Sequence, residues 1–221
     1  MVTARVNGKA VKIPQRFTVQ EWIELQRWDF DAPVQWPHIL EQITQIPQET
    51  FRNADEESLQ LFMGFVISAM NSRQRVELPD FNKLTFGQFV DMDCFIAIGI
   101  DKHLESMLEV LEITTPWAPQ AIWSLEQYIT WRTSIYRRYS TLFGLNDQDF
   151  KDYSEEKEDL DPKSVSRGWY NVIVELANND ILKIDRVTEE PVEKVLTYLQ
   201  IKKEKDIKAA QEARQIRNKQ I

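Results

Sequence analysis

The chain has 221 residues, 43% of them hydrophobic and 11% aromatic, which suffices for a substantial core in one domain or one and a half. A net charge of −8 argues against general nucleic-acid binding, because phosphate contacts need clustered positive charge. The single cysteine, Cys94, excludes an internal disulfide and points to a reducing compartment; its setting, Asp93-Cys94-Phe95-Ile96, reads as a buried structural thiol.

Residues 2–13 read as a β-hairpin. Asn7-Gly8 suits a type I′ turn, whose two central positions both need positive φ. A two-residue turn there pairs Val6 with Lys9, Ala4 with Val11 and Val2 with Ile13. Val2, Ala4, Val11 and Ile13 then share one face, which must pack on the helices that follow because an isolated hairpin is marginal. Thr18-Val19-Gln20-Glu21 is a capping box, opening a helix with Val19, Trp22, Ile23 and Leu25 and running toward Trp28. Pro33, Pro37 and Pro47 punctuate the next stretch, with a short helix expected over residues 38–46. Asn53 or Asp55 can cap a helix in which Leu59, Phe62, Met63, Val66, Ile67 and Met70 recur at helical spacing. Residues 72–80 form a polar break.

Thr85-Phe86-Gly87-Gln88 is a second capping box, opening an apolar helix through Phe89, Val90, Phe95 and Ile96 that Gly99 ends. Asp101 starts an amphipathic helix with Leu104, Met107, Leu108 and Leu111 on one face. Residues 121–143 give the longest clean helix, with Ile122, Leu125, Tyr128 or Ile129, Ile135 or Tyr136, and Tyr139 inward and Gly144 as its stop. The acidic stretch 147–161 reads as a solvated linker. Asp161-Pro162 starts a helix with Val165, Trp169, Val172, Ile173 and Leu176 on its apolar face. Ile181, Leu182 and Ile184 read as a short buried connector, and Thr188 as the cap of a final helix that buries Val192, Val195, Leu196 and Leu199. The expected organisation is therefore mainly α: a hairpin and helical body over 1–146, an acidic linker over 147–161, and a C-terminal helical hairpin with a charged tail over 162–221.

That tail, residues 202–221, holds seven Lys/Arg against three acids and almost nothing to bury. A helix that is polar all round stays ordered only by leaning on a partner or a neighbouring subunit. Trp and Tyr most often dominate interface energy, so Trp169, Tyr170 and Tyr198, with Lys202, Lys203, Lys205 and Lys208, are the expected protein-binding residues, although Trp169 suits the core equally well.

No catalytic set stands out. The two histidines, His38 and His103, sit in unlike contexts, and no Cys/His cluster offers metal-ligand spacing, so neither a metal nor another cofactor is expected. Asp91 and Asp93 are two apart and do not share a helical face. Glu155 and Glu156 lie where nothing raises a carboxyl's proton affinity. The six glycines are scattered singly, with no phosphate-binding loop and no GxSxG. Arg132, Arg137 and Arg138, interleaved with Trp131 and Tyr136, could stack bases; a helix with an aromatic core edge and salt-bridged arginines accounts for them better. An enzyme would need a pocket around His38, His103 or Asp91. Met1-Val2-Thr3-Ala4-Arg5 has no apolar stretch of signal-peptide length, and the longest apolar runs are too short for a bilayer, so neither a membrane partner nor a non-cytoplasmic location is expected.

Several blocks carry a resemblance in order along most of the chain. They are the Val6-Asn7-Gly8-Lys9 hairpin, Phe17-Thr18-Val19-Gln20-Glu21-Trp22, and Leu84-Thr85-Phe86-Gly87-Gln88-Phe89-Val90-Asp91. Trp169-Tyr170-Asn171-Val172-Ile173-Val174-Glu175-Leu176-Ala177 follows, then Asp180-Ile181-Leu182-Lys183-Ile184-Asp185 and Val195-Leu196-Thr197-Tyr198-Leu199. Together they resemble small helical baseplate hub or hub-assembly proteins of T4-like contractile-tailed phages, and the C-terminal block is similar in style to tail-assembly chaperones. The resemblance implies a non-enzymatic role in building the tail baseplate. Its partners would be other tail proteins, met in the host cytoplasm during assembly or in the virion baseplate itself. It supplies no catalytic residues.

Overall fold

Val11 and Ile13 are fully buried while Lys12 between them is exposed, the alternation of a strand with one face in a core. The strand belongs to a two-stranded antiparallel sheet in which Val2 faces Ile13, Ala4 faces Val11 and Val6 faces Lys9, the register expected from sequence. The computed structural model describes the backbone of residues 2–6, 9–145 and 161–219, and the side chains of these except at 2, 4, 6, 9 and 217–219. The Asn7-Gly8 turn, the acidic stretch from 147 to 160 and the last two tail residues lie outside the described residues.

In chain order the elements are β1 (Val2–Val6), β2 (Lys9–Ile13), α1 (Val19–Leu25), α2 (Trp36–Thr44), α3 (Gln48–Arg52) and α4 (Glu56–Met70). Then come α5 (Phe86–Ile98), α6 (Ile100–Val110), α7 (Ala118–Arg138), α8 (Ser140–Phe143), α9 (Pro162–Leu176), α10 (Ile184–Thr188) and α11 (Val192–Lys219). The fold is mainly α with an N-terminal β-hairpin.

Two compact units emerge. The first is Met1–Leu78 with Asp101–Glu126; the second is Pro79–Ile100 with Gln127–Ile221, so the division falls within α7. The composition of the acidic stretch, which has little to bury, suggests a division there. The contacts instead unite α5 with α9, α10 and α11, because their apolar faces fill one core.

In the first unit, Val11 and Ile13 join Phe17, Leu25, Ile39, Leu40, Phe51, Phe62, Met63 and Val66 in a single buried cluster. Both reciprocal hydrogen bonds of the Thr18 capping box are present, and Asp55, not Asn53, caps α4 by accepting from the Ser58 amide at 2.8 Å. Helix α2 begins at Trp36, two residues earlier than expected. Pro37 sits in its first turn, where a missing N–H breaks no helical bond, and Gln45 at φ 58° stops it. Leu104, Met107, Leu108 and Leu111 are buried as the spacing of α6 predicts.

In the second unit, Phe86, Phe89 and Val90 of α5 meet Ile135 and Tyr139, Ile173 of α9, and Val192, Val195 and Leu196 of α11. The N-termini of α5 and α11 are tied by a β-bridge between Thr85 and Pro191. The Phe86 amide donates to Glu190 O (2.8 Å) and the Val192 amide to Leu84 O (3.1 Å). The bridge corrects one expectation: Thr188 does not cap the final helix but closes α10, donating its hydroxyl to Asp185 O. A second correction concerns Ile181 and Leu182, which are 76% and 88% exposed. The Asp180 carboxylate accepts from the Leu182 amide and holds a tight turn over Ile181–Lys183 that turns both side chains outward, leaving Ile184 and Val187 to pack. The expected helix 121–143 breaks at Tyr139 (φ −107°, ψ 32°), whose buried ring and hydroxyl are committed to Thr197 of α11 at 2.9 Å. The longest helix described is α11, with 28 residues.

Candidate protein-binding surface

Asp93 falls on the same stripe of α5 as Phe86 and Phe89, seven and four residues before it, so the helix carries a carboxylate into an aromatic core. A charge there must be paired. Arg132 Nε donates to Asp93 Oδ1 at 2.5 Å, and Oδ2 accepts from the Tyr136 hydroxyl and from Trp169 Nε1 at 3.1 Å. Arg132 and Tyr136 share a face of α7, as their spacing requires, and the guanidinium lies 4.4 Å from the Tyr136 ring centre. One carboxylate thus ties α5, α7 and α9 together. Sequence reading passed over it, although the 86–89–93 spacing on an apolar helix was the available signal.

Trp169, for which the sequence allows either an interface or a core role, packs against the core of the second unit. Its ring stands edge-on to Phe86 (5.6 Å), Phe89 (5.7 Å) and Phe143 (6.1 Å), and its N–H is spent on Asp93. Its remaining exposed edge, with Phe143, Val165, Val172 and Leu199, lines an apolar groove of about 370 Å³.

The other expected residues are at the surface. Tyr170 on α9 and Tyr198 on α11 are each 57% exposed. Lys202 forms an ion pair with Glu175 of α9, a contact that raises the lysine's proton affinity, and Lys203 donates to Leu142 O at 2.7 Å. Among the described residues these two lysines are therefore the last points at which α11 is fastened to its own unit. Beyond them every residue from Glu204 to Ile216 is helical and exposed, Lys205 and Lys208 included. Tyr198, Ile201, Lys205 and Lys208 follow at steps of three, four and three, which places them on one stripe of the helix.

The remaining candidates are dispersed. His38 stacks on Trp28 in the first unit, with ring centres 6.0 Å apart, and His103 lies in α6 of the same unit, while Asp91 belongs to the second. Partial burial raises the Asp91 carboxyl above its ordinary value. Arg132 is held by Asp93 and Arg138 by Glu193, so two of the three arginines weighed for base stacking are engaged in ion pairs. Cys94 is half-buried, not buried; desolvation and the neighbouring Asp93 and Asp91 charges push its thiol upward, away from reactivity. Among the described residues no cluster of His, Cys, Asp or Glu is placed to hold a metal ion, and no helix is long and apolar enough to cross a membrane.

No family model, no curated protein and no solved structure matches this chain.

Proposed function

We propose that this chain is a non-enzymatic protein of tail baseplate assembly in contractile-tailed phages, a hub component or an assembly chaperone, acting through protein–protein contacts. Its docking element is α11 beyond Lys203, with Tyr170 and Tyr198 beside it. The observation that carries the reading is the helical run Glu204–Ile216, exposed at every position. An isolated helix of this length is marginal in water, so its ordered form gains most from burial against another protein. The order of residue blocks shared in style with hub-assembly proteins supports the choice of partner class. The −8 net charge and the arginines held in ion pairs favour a protein partner over nucleic acid.

The test is co-expression with the baseplate hub proteins of a T4-like phage, comparing the full chain with a version ending at Lys203. That cut keeps the Lys202–Glu175 and Lys203–Leu142 contacts and removes only the projecting part. Capture of hub proteins should be lost while thermal unfolding of the two units stays unchanged. Full capture by the shortened chain, or collapse of its fold, sinks the reading. Mass spectrometry of purified particles then separates a resident hub component from a chaperone that departs.

A further inference from the structure

The stripe on α11 carries two chemistries in order. Tyr198 (57% exposed) and Ile201 (48%) come first, followed by Lys205 and Lys208, neither of which has an ion-pair partner among the described residues. The first unit presents the complementary order. A groove of about 550 Å³ runs along α6 and the start of α1, with an apolar wall from Val19, Leu108, Ile113 and Pro116. Glu105 and Glu109, one helical turn apart on α6, stand on the same groove, exposed and likewise without an ion-pair partner. The charges point the same way: residues 202–221 carry +4, while the first unit, residues 1–78 and 101–126, carries −6 from 15 acids against 9 Lys/Arg.

We infer that the α11 stripe of one copy docks into the α6 groove of a second copy. Tyr198 and Ile201 lie against the apolar wall, and Lys205 and Lys208 meet Glu109 and Glu105. The inference rests on the reading of α11 as a docking element and names one occupant for it. The pairing joins two different surfaces, so it is heterologous: copies add head to tail and close into a ring or grow. Partner proteins that take the same stripe compete with it, and self-association is then the resting form of the docking helix.

The experiment is molar mass by light scattering on the full chain over a range of concentrations. Salt is set at about 0.01 M and about 1 M, where the Debye length falls from ~30 Å to ~3 Å. Mass should rise with concentration at low salt and return to that of one chain at high salt. Glu105→Lys/Glu109→Lys and Lys205→Glu/Lys208→Glu, all at exposed positions, should each weaken association at least ~10-fold, a factor set by placing like charges across the contact. Mixing the two variants should restore association, because each groove then meets a tail of opposite sign. A chain that stays monomeric at low salt, or variants that associate like the parent, or a mixture that recovers nothing, overturns the pairing. A monomeric chain that still captures hub proteins through residues 204–221 removes the self-pairing and leaves the proposed function standing. A self-associating chain that captures none does the reverse.

Discussion

Arg132 Nε lies 2.5 Å from Asp93 Oδ1 where the aspartate side chain is 1% and the arginine side chain 13% exposed. A pair so far from water is worth little against an apolar replacement but is costly to break, because the surviving charge is stranded. Arg132→Met should therefore destabilise the fold by about 3–5 kcal/mol in urea unfolding. Asp93→Leu combined with Arg132→Met should recover part of that loss, and only part, since the Tyr136 hydroxyl and the Trp169 N–H then lack their acceptor. A single Arg132→Met variant as stable as the parent contradicts the buried pairing.

Tyr128 poses the opposite problem. Its ring is fully buried against Phe81 and Trp131, and its hydroxyl has no hydrogen-bond partner among the described residues. Tyr128→Phe should therefore be neutral or stabilising by about 1 kcal/mol at neutral pH. Burial, with the Asp93 charge adding to it, pushes this phenol well above its ordinary value of 10.0. The folded protein thus keeps the proton while the unfolded chain loses it above pH 10, so the parent loses stability as pH rises past that point. Unfolding free energies at about pH 8 and about pH 11 should show the Phe variant's advantage widening with pH. An advantage that stays constant means the hydroxyl is hydrated.

The two capping boxes can be ranked. Thr18 and Thr85 each accept from the backbone three residues on, and each has its own amide satisfied by Glu21 or Gln88. An alanine at either site should cost about 1 kcal/mol. Both backbones are bridged, Thr18 to Trp117 and Thr85 to Pro191, but the cap bonds of Thr85 are part-buried and those of Thr18 exposed, so Thr85→Ala should lower the melting temperature of its unit more than Thr18→Ala does of the other. Equal losses would mean that enclosure adds nothing to the cap.

Local chemistry explains which parts of this fold were legible in the sequence. The hairpin register, both capping boxes and the Asp161-Pro162 start are set by residues within four positions of one another, and each is found as read; Gly144 also stops a helix, but the short α8, because the helix expected to reach it breaks at Tyr139. What escaped depends on residues far apart. The break at Tyr139 follows from a hydroxyl that reaches Thr197, 58 positions on. The apolar face of α9 admits Trp169 to the core as readily as to an interface, and the sequence leaves that choice open because its partners, Phe86, Phe89 and Asp93, are some eighty residues away. Hydrophobicity alone places Ile181 and Leu182 inside, but the Asp180 turn decides their direction. The exposed tail was legible because it lacks apolar spacing; its foothold on Glu175 and Leu142 was not.

Two helical glycines should respond in opposite senses to the same change. A Cβ on Gly87 would stand 3.1 Å from Thr188 Cβ and 3.2 Å from Thr188 O, where α5 passes the end of α10. The oxygen is backbone, held in the segment that bridges Thr85, and cannot retreat cheaply. Gly87→Ala should cost about 1–3 kcal/mol as overpacking. Gly168, inside α9 on the rim of the apolar groove, has nothing within 4 Å of the same position. Gly168→Ala should gain about 0.5–1 kcal/mol, because alanine loses less backbone freedom on entering a helix. Melting temperatures should therefore run Gly168→Ala above the parent and the parent above Gly87→Ala. If Gly87→Ala melts with or above the parent, the close approach of α5 to Thr188 is looser than described, and the tie between the α5 and α11 N-termini loses its steric basis.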